Sequence, residues 1–379
     1  MPRGFRSHTA NLGLKDSADD FAVVISETPA VSAAVFTRSR FAGPSVLLSQ
    51  GDAARQDARG MVVISRNANV ATGRAGAAHA AEVRRLVAEA VGVVPEQLVI
   101  GSTGVIGRPY PMESIRAGIA EIPAALPPAD FEAAAAAIMT TDTRAKSVRL
   151  RCGEAVLVGI AKGVGMIEPN MATLLTFFFT DAELPAGELD AVFRRVMDRT
   201  FNALSIDTDT STSDSAAIFA NGQAGPVDPA AFEAVLYRAA LTLVRDIASD
   251  GEGASKLIEV RVTGARDAAQ AKRVGKSVVN SPLVKSSVHG ADPNWGRVAM
   301  AIGKLDDDRL DPARTTIRYG ALELFPAEPD DERLAAAGAY LAGTEVVIGV
   351  DLGLGDGEFT VYGCDLTPEY VELNSGYTT

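Results

Sequence analysis

Apolar residues along the chain recur with two periods. Short contiguous apolar runs at residues 33–36, 61–65 and 98–100 predict buried strands. Between them, residues 77–91 place Val83, Leu86, Val87 and Val91 on one face, which predicts an amphipathic helix. A second, alanine-rich helix is expected over 131–139. Residues 155–161 read as a strand feeding a glycine-rich turn at 162–165, and a further strand is expected over 173–180. Helices are expected over 189–201 and 230–249, and the prolines of 123–128 mark a loop. Residues 264–290 carry more Lys and Ser and are expected to lead into a C-terminal lobe, from about 265 to 379. Strands at 346–352 and 359–364 are expected to join as a hairpin through Gly353-Leu-Gly-Asp-Gly357. This order predicts α/β or α+β layers.

Composition narrows the chemistry. A chain of 379 residues can form two domains, or one domain with a substantial lobe. The formal charge is −12, and no Lys/Arg cluster forms the basic stripe that nucleic acid requires, so no nucleic-acid partner is expected. No run of about 18 apolar residues is present to span a membrane, and the first residues lack the apolar core of a signal peptide. Cys152 and Cys364 make no disulfide framework, and a cytoplasmic location is the simpler expectation. His8, His79 and His289 lie far apart in sequence, which leaves little for a zinc site or a serine–histidine triad. Catalysis is expected to work without histidine and without a metal or other cofactor.

One segment stands out: Gly159-Ile-Ala-Lys-Gly-Val-Gly-Met-Ile-Glu-Pro-Asn-Met-Ala-Thr-Leu-Leu175. Its order is a strand, a glycine turn, a proline, and a small residue before Thr173. Such a threonine can attack the carbonyl of Ala172, so that the chain divides into residues 1–172 and 173–379. Thr173 would then own both a hydroxyl and a free α-amine, and the amine can serve as general base for the hydroxyl. An α-amine with a pKa of about 7.7 suits proton transfer near neutral pH. By itself the spacing also fits a threonine that opens a buried strand.

The segment resembles the cleavage motif of the ornithine acetyltransferases (glutamate N-acetyltransferases), and the resemblance runs from Arg3-Gly-Phe5 to Asn374-Ser-Gly-Tyr-Thr-Thr379. Similar blocks include Arg66-Asn-Ala-Asn-Val-Ala-Thr-Gly73, Ser102-Thr-Gly-Val-Ile-Gly107, Ile138-Met-Thr-Thr-Asp-Thr143, Asp250-Gly-Glu-Gly253, Val279-Asn-Ser-Pro-Leu-Val-Lys285 and Asp292-Pro-Asn-Trp-Gly-Arg297. The details look closest to the type found in clavulanic acid gene clusters.

The resemblance implies an αββα layered fold shared with self-processing aminopeptidases. It implies acetyl transfer from N-acetylornithine to glutamate, releasing ornithine and N-acetylglutamate. Thr173 would carry the acetyl group. Thr103, through its hydroxyl, and Gly104, through its N–H, would form the oxyanion hole. Thr140, Lys162, Glu252, Asn374 and Thr379 would contact substrate, together with Thr173. It also implies an assembly of two copies of each fragment. A self-processing aminopeptidase or amidase, and an enzyme that also takes acetyl from acetyl-CoA, are the alternatives.

Other motifs weigh less. Asp207-Thr-Asp-Thr-Ser211 has the paired carboxylates of a phosphohydrolase start, but a polar turn closed by the Asp and Ser side chains fits better, and whether it supports the site is left open. Gly353–Gly357 precedes a strand and not the helix of a dinucleotide fingerprint. His289 is expected to be a structural histidine, and Trp295 a packing anchor.

Overall fold

The computed structural model describes residues 1–168 and 174–376, so Ala172, Thr173 and Thr379 lie outside the described residues. The chain forms two compact units. The first comprises Met1–Gly163, Pro169–Asn202 and Thr210–Leu243. It contains β1 (Phe5–Ala10), β2 (Phe21–Ser26), β3 (Val31–Phe36), α1 (Pro44–Asp52), β4 (Gly60–Ile64), α2 (Gly73–Val91), β5 (Leu98–Ser102), α3 (Met112–Ala120), α4 (Phe131–Ala137), β6 (Lys146–Cys152), β7 (Ala155–Lys162), β8 (Leu175–Glu183), α5 (Ala186–Arg199), β9 (Ser215–Pro226) and most of α6 (Pro229–Ser249).

Two sheets, β1-β2-β4-β5 and β3-β9-β8-β7-β6, stack face to face in this unit. Their shared core joins Val24, Met61 and Val63 of the first sheet to Val158, Phe177, Phe179 and Phe219 of the second. The run Phe177-Phe178-Phe179 shows why β8 reads as continuously apolar. Alternate side chains of a strand point to opposite faces, and both faces here are covered. Phe179 stacks on Phe219 between the sheets at 5.4 Å, while Phe178 meets Phe193 of α5 at 6.3 Å on the other side. The outer face of the first sheet is covered by α2 and α3 through Val83, Val87, Ile115 and Ile119. The first unit is therefore a four-layer αββα arrangement. The face of α2 carrying Val83 and Val87 is the one expected from the sequence, and Gly92 ends the helix in a left-handed conformation, φ 72°.

The second unit comprises Val164–Glu168, Ala203–Asp209 and Val244–Thr379. It holds β10 (Leu257–Ala265), α7 (Ala268–Val279), α8 (Pro282–His289), α9 (Gly296–Gly303), β11 (Thr316–Tyr319), β12 (Leu322–Phe325), α10 (Asp331–Leu341), β13 (Glu345–Asp351), β14 (Gly357–Cys364) and α11 (Pro368–Ser375). Its sheet runs β12-β11-β13-β10-β14. The expected hairpin of the last two strands is not formed. β10 lies between them, parallel to β13 and antiparallel to β14. The glycine-rich link instead bends around the end of β10, where Leu354 and Gly355 donate to the Gly264 carbonyl. Ladder pairing of both strands with β10 outweighs the local turn signal. His289 is held by Asp365, Nδ1 to Oδ2 at 3.1 Å, and Trp295 stacks on Phe325 at 5.3 Å. No helix among the described residues is long and apolar enough to cross a membrane.

Close packing behind β8 yields a stability prediction. A Cβ on Gly159 would come 2.6 Å from the Phe178 ring and 3.1 Å from Leu243. Gly159→Ala is expected to lower unfolding free energy by about 1–3 kcal/mol through overpacking. A urea midpoint equal to that of the wild type would contradict this.

Candidate active site

The strand register of the second sheet collects the chemistry at one edge of the first unit. Lys162 of β7 pairs with Leu175 of β8, Leu175 with Ser215 of β9, and Ser215 with Phe36 of β3. One residue beyond this row stand Gly163, Leu174, Asp214 and Thr37. Each belongs to the backbone network there. Leu174 N–H donates to Asp214 Oδ1 at 2.7 Å. Ser215 N–H donates to the Leu174 carbonyl at 2.8 Å and Thr37 N–H to the Asp214 carbonyl at 3.0 Å.

Gly163 N–H donates to Asp142 Oδ1 at 2.7 Å. The same carboxylate takes Lys146 Nζ at 2.8 Å and the Thr140 N–H at 3.1 Å, the latter on Oδ2. Burial opposes charge on Asp142, but Lys162, Lys146 and the Gly163 N–H outweigh it and hold the carboxyl below its usual range. Asp142 thus ties the loop bearing Thr140 to the end of β7. Arg66 Nη1 also reaches the Thr140 carbonyl, at 3.1 Å.

Lys162 is buried, and its Nζ lies 3.2 Å from Thr103 Oγ1. An ammonium can only donate, so the Thr103 oxygen accepts there and its own proton is left to point elsewhere. Ser102, just before it, is fixed by donation to the Asn67 carbonyl and by receipt of the Tyr110 hydroxyl, both at 2.6 Å. Gly104 follows with φ 129°, and a Cβ there would collide with the Arg66 backbone, so only glycine suits the position. Among the described residues nothing accepts a hydrogen bond from the Gly104 N–H. Thr103 therefore keeps a hydroxyl proton for another acceptor, one residue before the Gly104 N–H.

Asp214 is the electrostatic opposite of Asp142. It is fully buried, and burial pushes its carboxyl up to about 7, against smaller favourable effects from the Leu174 N–H, the Ser211 hydroxyl and Lys162. Its Oδ2 makes no hydrogen bond of normal geometry to the described residues. Leu174 itself is held at φ 71°. Sequence reasoning missed both Asp142 and Asp214. The spacing of Asp142 and Lys146 hinted at a pair, whereas nothing in Ser213-Asp214-Ser215 distinguished a buried acid from a turn.

In the second unit, Glu252 and Asn374 meet: Asn374 Nδ2 donates to Glu252 Oε2 at 2.9 Å. Glu252 N–H bonds the Val164 carbonyl at 2.8 Å, and a Cβ on Gly165 would clash with the Glu252 carboxylate. Residues 164–168 are otherwise held by Asp207, which accepts from Met166 N–H at 2.6 Å and Ile167 N–H at 2.8 Å. Tyr370 of α11 also donates to Asp207, at 3.3 Å. Glu168 pairs with Lys276 at 3.2 Å and with Asn280 Nδ2 at 3.1 Å. Burial lowers Lys276 to about 8, partly opposed by Glu168. Asp207 is thus a support for the turn at residues 164–168. Among the described residues no group of three His, Cys, Asp or Glu side chains is arranged to hold a metal.

The ArgJ family matches residues 6–379. The chain belongs to the ArgJ family. It is 63% identical to glutamate N-acetyltransferase Oat2 of Streptomyces clavuligerus, over 100% of this chain and 98% of that protein. It is 53% identical to arginine biosynthesis bifunctional protein ArgJ 2 of a Nostoc species, again over 100% and 98%. Among solved structures, the arginine biosynthesis bifunctional protein argJ of Bacillus halodurans is 39% identical with a TM-score of 0.50. That match covers 52% of this chain and 96% of the solved one. The family match spans residues of both units.

The raised Asp214 yields a pH prediction. Its folded value near 7 lies above the ordinary 3.8, so the folded state binds more protons between those limits and loses stability as pH rises through them. Asp214→Asn removes that penalty. Its stability advantage over the wild type is expected to be smallest at pH 4 and to grow to roughly 4 kcal/mol at most by pH 8. Urea denaturation at several pH values measures it, and an advantage independent of pH would contradict the raised value.

Proposed function

We propose that this chain is a self-processing ornithine acetyltransferase, a glutamate N-acetyltransferase that moves acetyl from N-acetylornithine to glutamate through an ester on Thr173. The observation that supports it most is the pairing of a full-length ArgJ match with the two donors of Thr103 and Gly104, the first oriented by Lys162. In self-processing, Thr173 Oγ1 bonds to the Ala172 carbonyl carbon, the C–N bond breaks, and the nitrogen leaves as the α-amine of Thr173. Water then hydrolyses the ester and leaves Ala172 with a carboxylate.

Transfer follows the same pattern. The α-amine takes the hydroxyl proton as Oγ1 attacks the acetyl carbonyl, and Thr103 and Gly104 donate to the resulting oxyanion. The C–N bond breaks, and ornithine leaves with the proton. The amine of glutamate attacks the acetyl ester next, and Oγ1 recovers its proton. Acetyl arrives already attached, so the scheme uses no cofactor. Lys162 serves the α-carboxylate as a point charge, and Thr140 is a substrate contact. Glu252 serves the polar end of the amino acid, and Asn374 and Thr379 are substrate contacts. The enzyme works in the cytoplasm as two copies of each fragment.

β8 and β9, from the later fragment, lie between β3 and β7 of the earlier one in a single sheet. Cleavage therefore leaves the fragments hydrogen-bonded along two strand edges.

Two bands on a denaturing gel and one species under native conditions are expected, the second fragment beginning Thr-Leu-Leu-Thr. Thr173→Ala should remain one chain. Mass spectrometry after N-acetylornithine should find one acetyl group on the 173–379 fragment; acetyl on the other fragment would refute the nucleophile. Free acetate released at the same rate with and without glutamate would favour a hydrolase. Removal of the Thr103 hydroxyl in Thr103→Val should lower kcat by roughly 10²–10³-fold. Steady-state kinetics on folded, cleaved enzyme test it, and an unchanged kcat would remove Thr103 from the oxyanion hole.

A further inference from the structure

We propose that Asp214 is a positioning residue for the threonine at 173, acting by clamping Leu174 in a left-handed turn. The inference rests on the self-processing reading and extends it to a residue that neither touches substrate nor belongs to the proposed oxyanion hole.

Leu174 has φ 71°, a conformation that residues other than glycine rarely adopt without support. It is held there from two sides: its N–H by Asp214 Oδ1 at 2.7 Å, its carbonyl by Ser215 N–H at 2.8 Å. The clamp is anchored in turn. Thr37 N–H bonds the Asp214 carbonyl at 3.0 Å, and Thr37 Oγ1 donates to the Ser211 carbonyl at 2.7 Å. A peptide unit is planar, so a bond to the Leu174 N–H also orients the peptide that joins it to residue 173. Strained backbone fixed by neighbours is a recurrent device of functional sites.

The choice of an acid is itself informative. A neutral amide oxygen could accept one backbone N–H in this place without a desolvated charge. Asp214 instead keeps a carboxyl whose Oδ2 is buried without a normal hydrogen bond. The Leu174 N–H and the Ser211 hydroxyl favour its charged form, and the positive charge of Lys162 on β7 adds to them. An ionised carboxylate accepts a stronger hydrogen bond than a neutral one. The clamp should tighten as Asp214 loses its proton, through pH of about 7.

The test follows self-cleavage of purified precursor over time on denaturing gels for wild type, Asp214→Ala, Asp214→Asn and the double variant Asp214→Ala/Leu174→Gly. Circular dichroism confirms that each is folded. Asp214→Ala is expected to cleave at least ten-fold more slowly. Leu174→Gly in that background should restore most of the rate, because glycine takes a left-handed turn without a clamp. A residue needed only for general stability would not be rescued in this way. The wild-type rate should rise through pH 7, and Asp214→Asn should lose that rise. Wild-type cleavage with an equally fast Asp214→Ala, or a slow Asp214→Ala that glycine fails to rescue, would overturn the proposal. If Asp214→Ala fails to fold, Asp214→Asn decides: a retained rise near pH 7 overturns it. A wild-type chain that never cleaves would instead sink the self-processing reading itself.

Discussion

The register of three neighbouring strands governs the first unit. Lys162, Leu175 and Ser215 lie side by side across β7, β8 and β9. The residues just beyond them therefore share one sheet edge: Gly163 with its Asp142, Leu174 with its Asp214. A slip of one residue in β8 would turn Phe177 and Phe179 away from the inter-sheet core and move Phe178 into it. The same slip would carry Leu174 away from Asp214. Packing of large aromatic side chains thus enforces, at some distance, the geometry of small polar groups at the strand ends.

Two buried carboxyls at this edge show how environment divides roles between chemically equal side chains. Asp142 has two ammonium groups and two backbone N–H donors around it, and stays ionised. It is a cross-brace between β7 and the loop of Thr140. Asp214 has one backbone donor at close range and a more distant lysine, and its proton is held to near neutral pH. Titratable groups set apart in this manner are a common mark of functional sites. Lys162 acts on both acids and on the Thr103 hydroxyl, which makes its charge the shared element of the cluster.

Within the second unit two acidic residues hold the glycine-rich turn, Asp207 through its carboxylate and Glu252 through its backbone N–H. Asp207 takes two N–H groups from residues 166 and 167, and Glu252 closes over Gly165. α11 contributes Tyr370 to the first and Asn374 to the second. A C-terminal helix that would fray in isolation is thereby tied to the same turn as the acidic residues.

Apolar periodicity located most long elements correctly: the α2 face, α4, α6 and the strand over 155–161 follow from it, because their burial is one-sided or continuous along the chain. Thr103, Gly104, Lys162 and Glu252 were singled out only through the resemblance of their sequence blocks to a family, because small and charged residues at strand and turn ends are common. The pairing of β13 and β14 was not, since a glycine-rich link is equally compatible with a hairpin and with a bend around β10. Asp142 and Asp214 were illegible for a related reason. Local sequence determines which backbone shapes are allowed and which faces are apolar. Whether an acid ends up charged beside two lysines or nearly neutral beside a strained leucine depends on solvent exclusion and on partners brought from distant strands, and only the folded sheet supplies those.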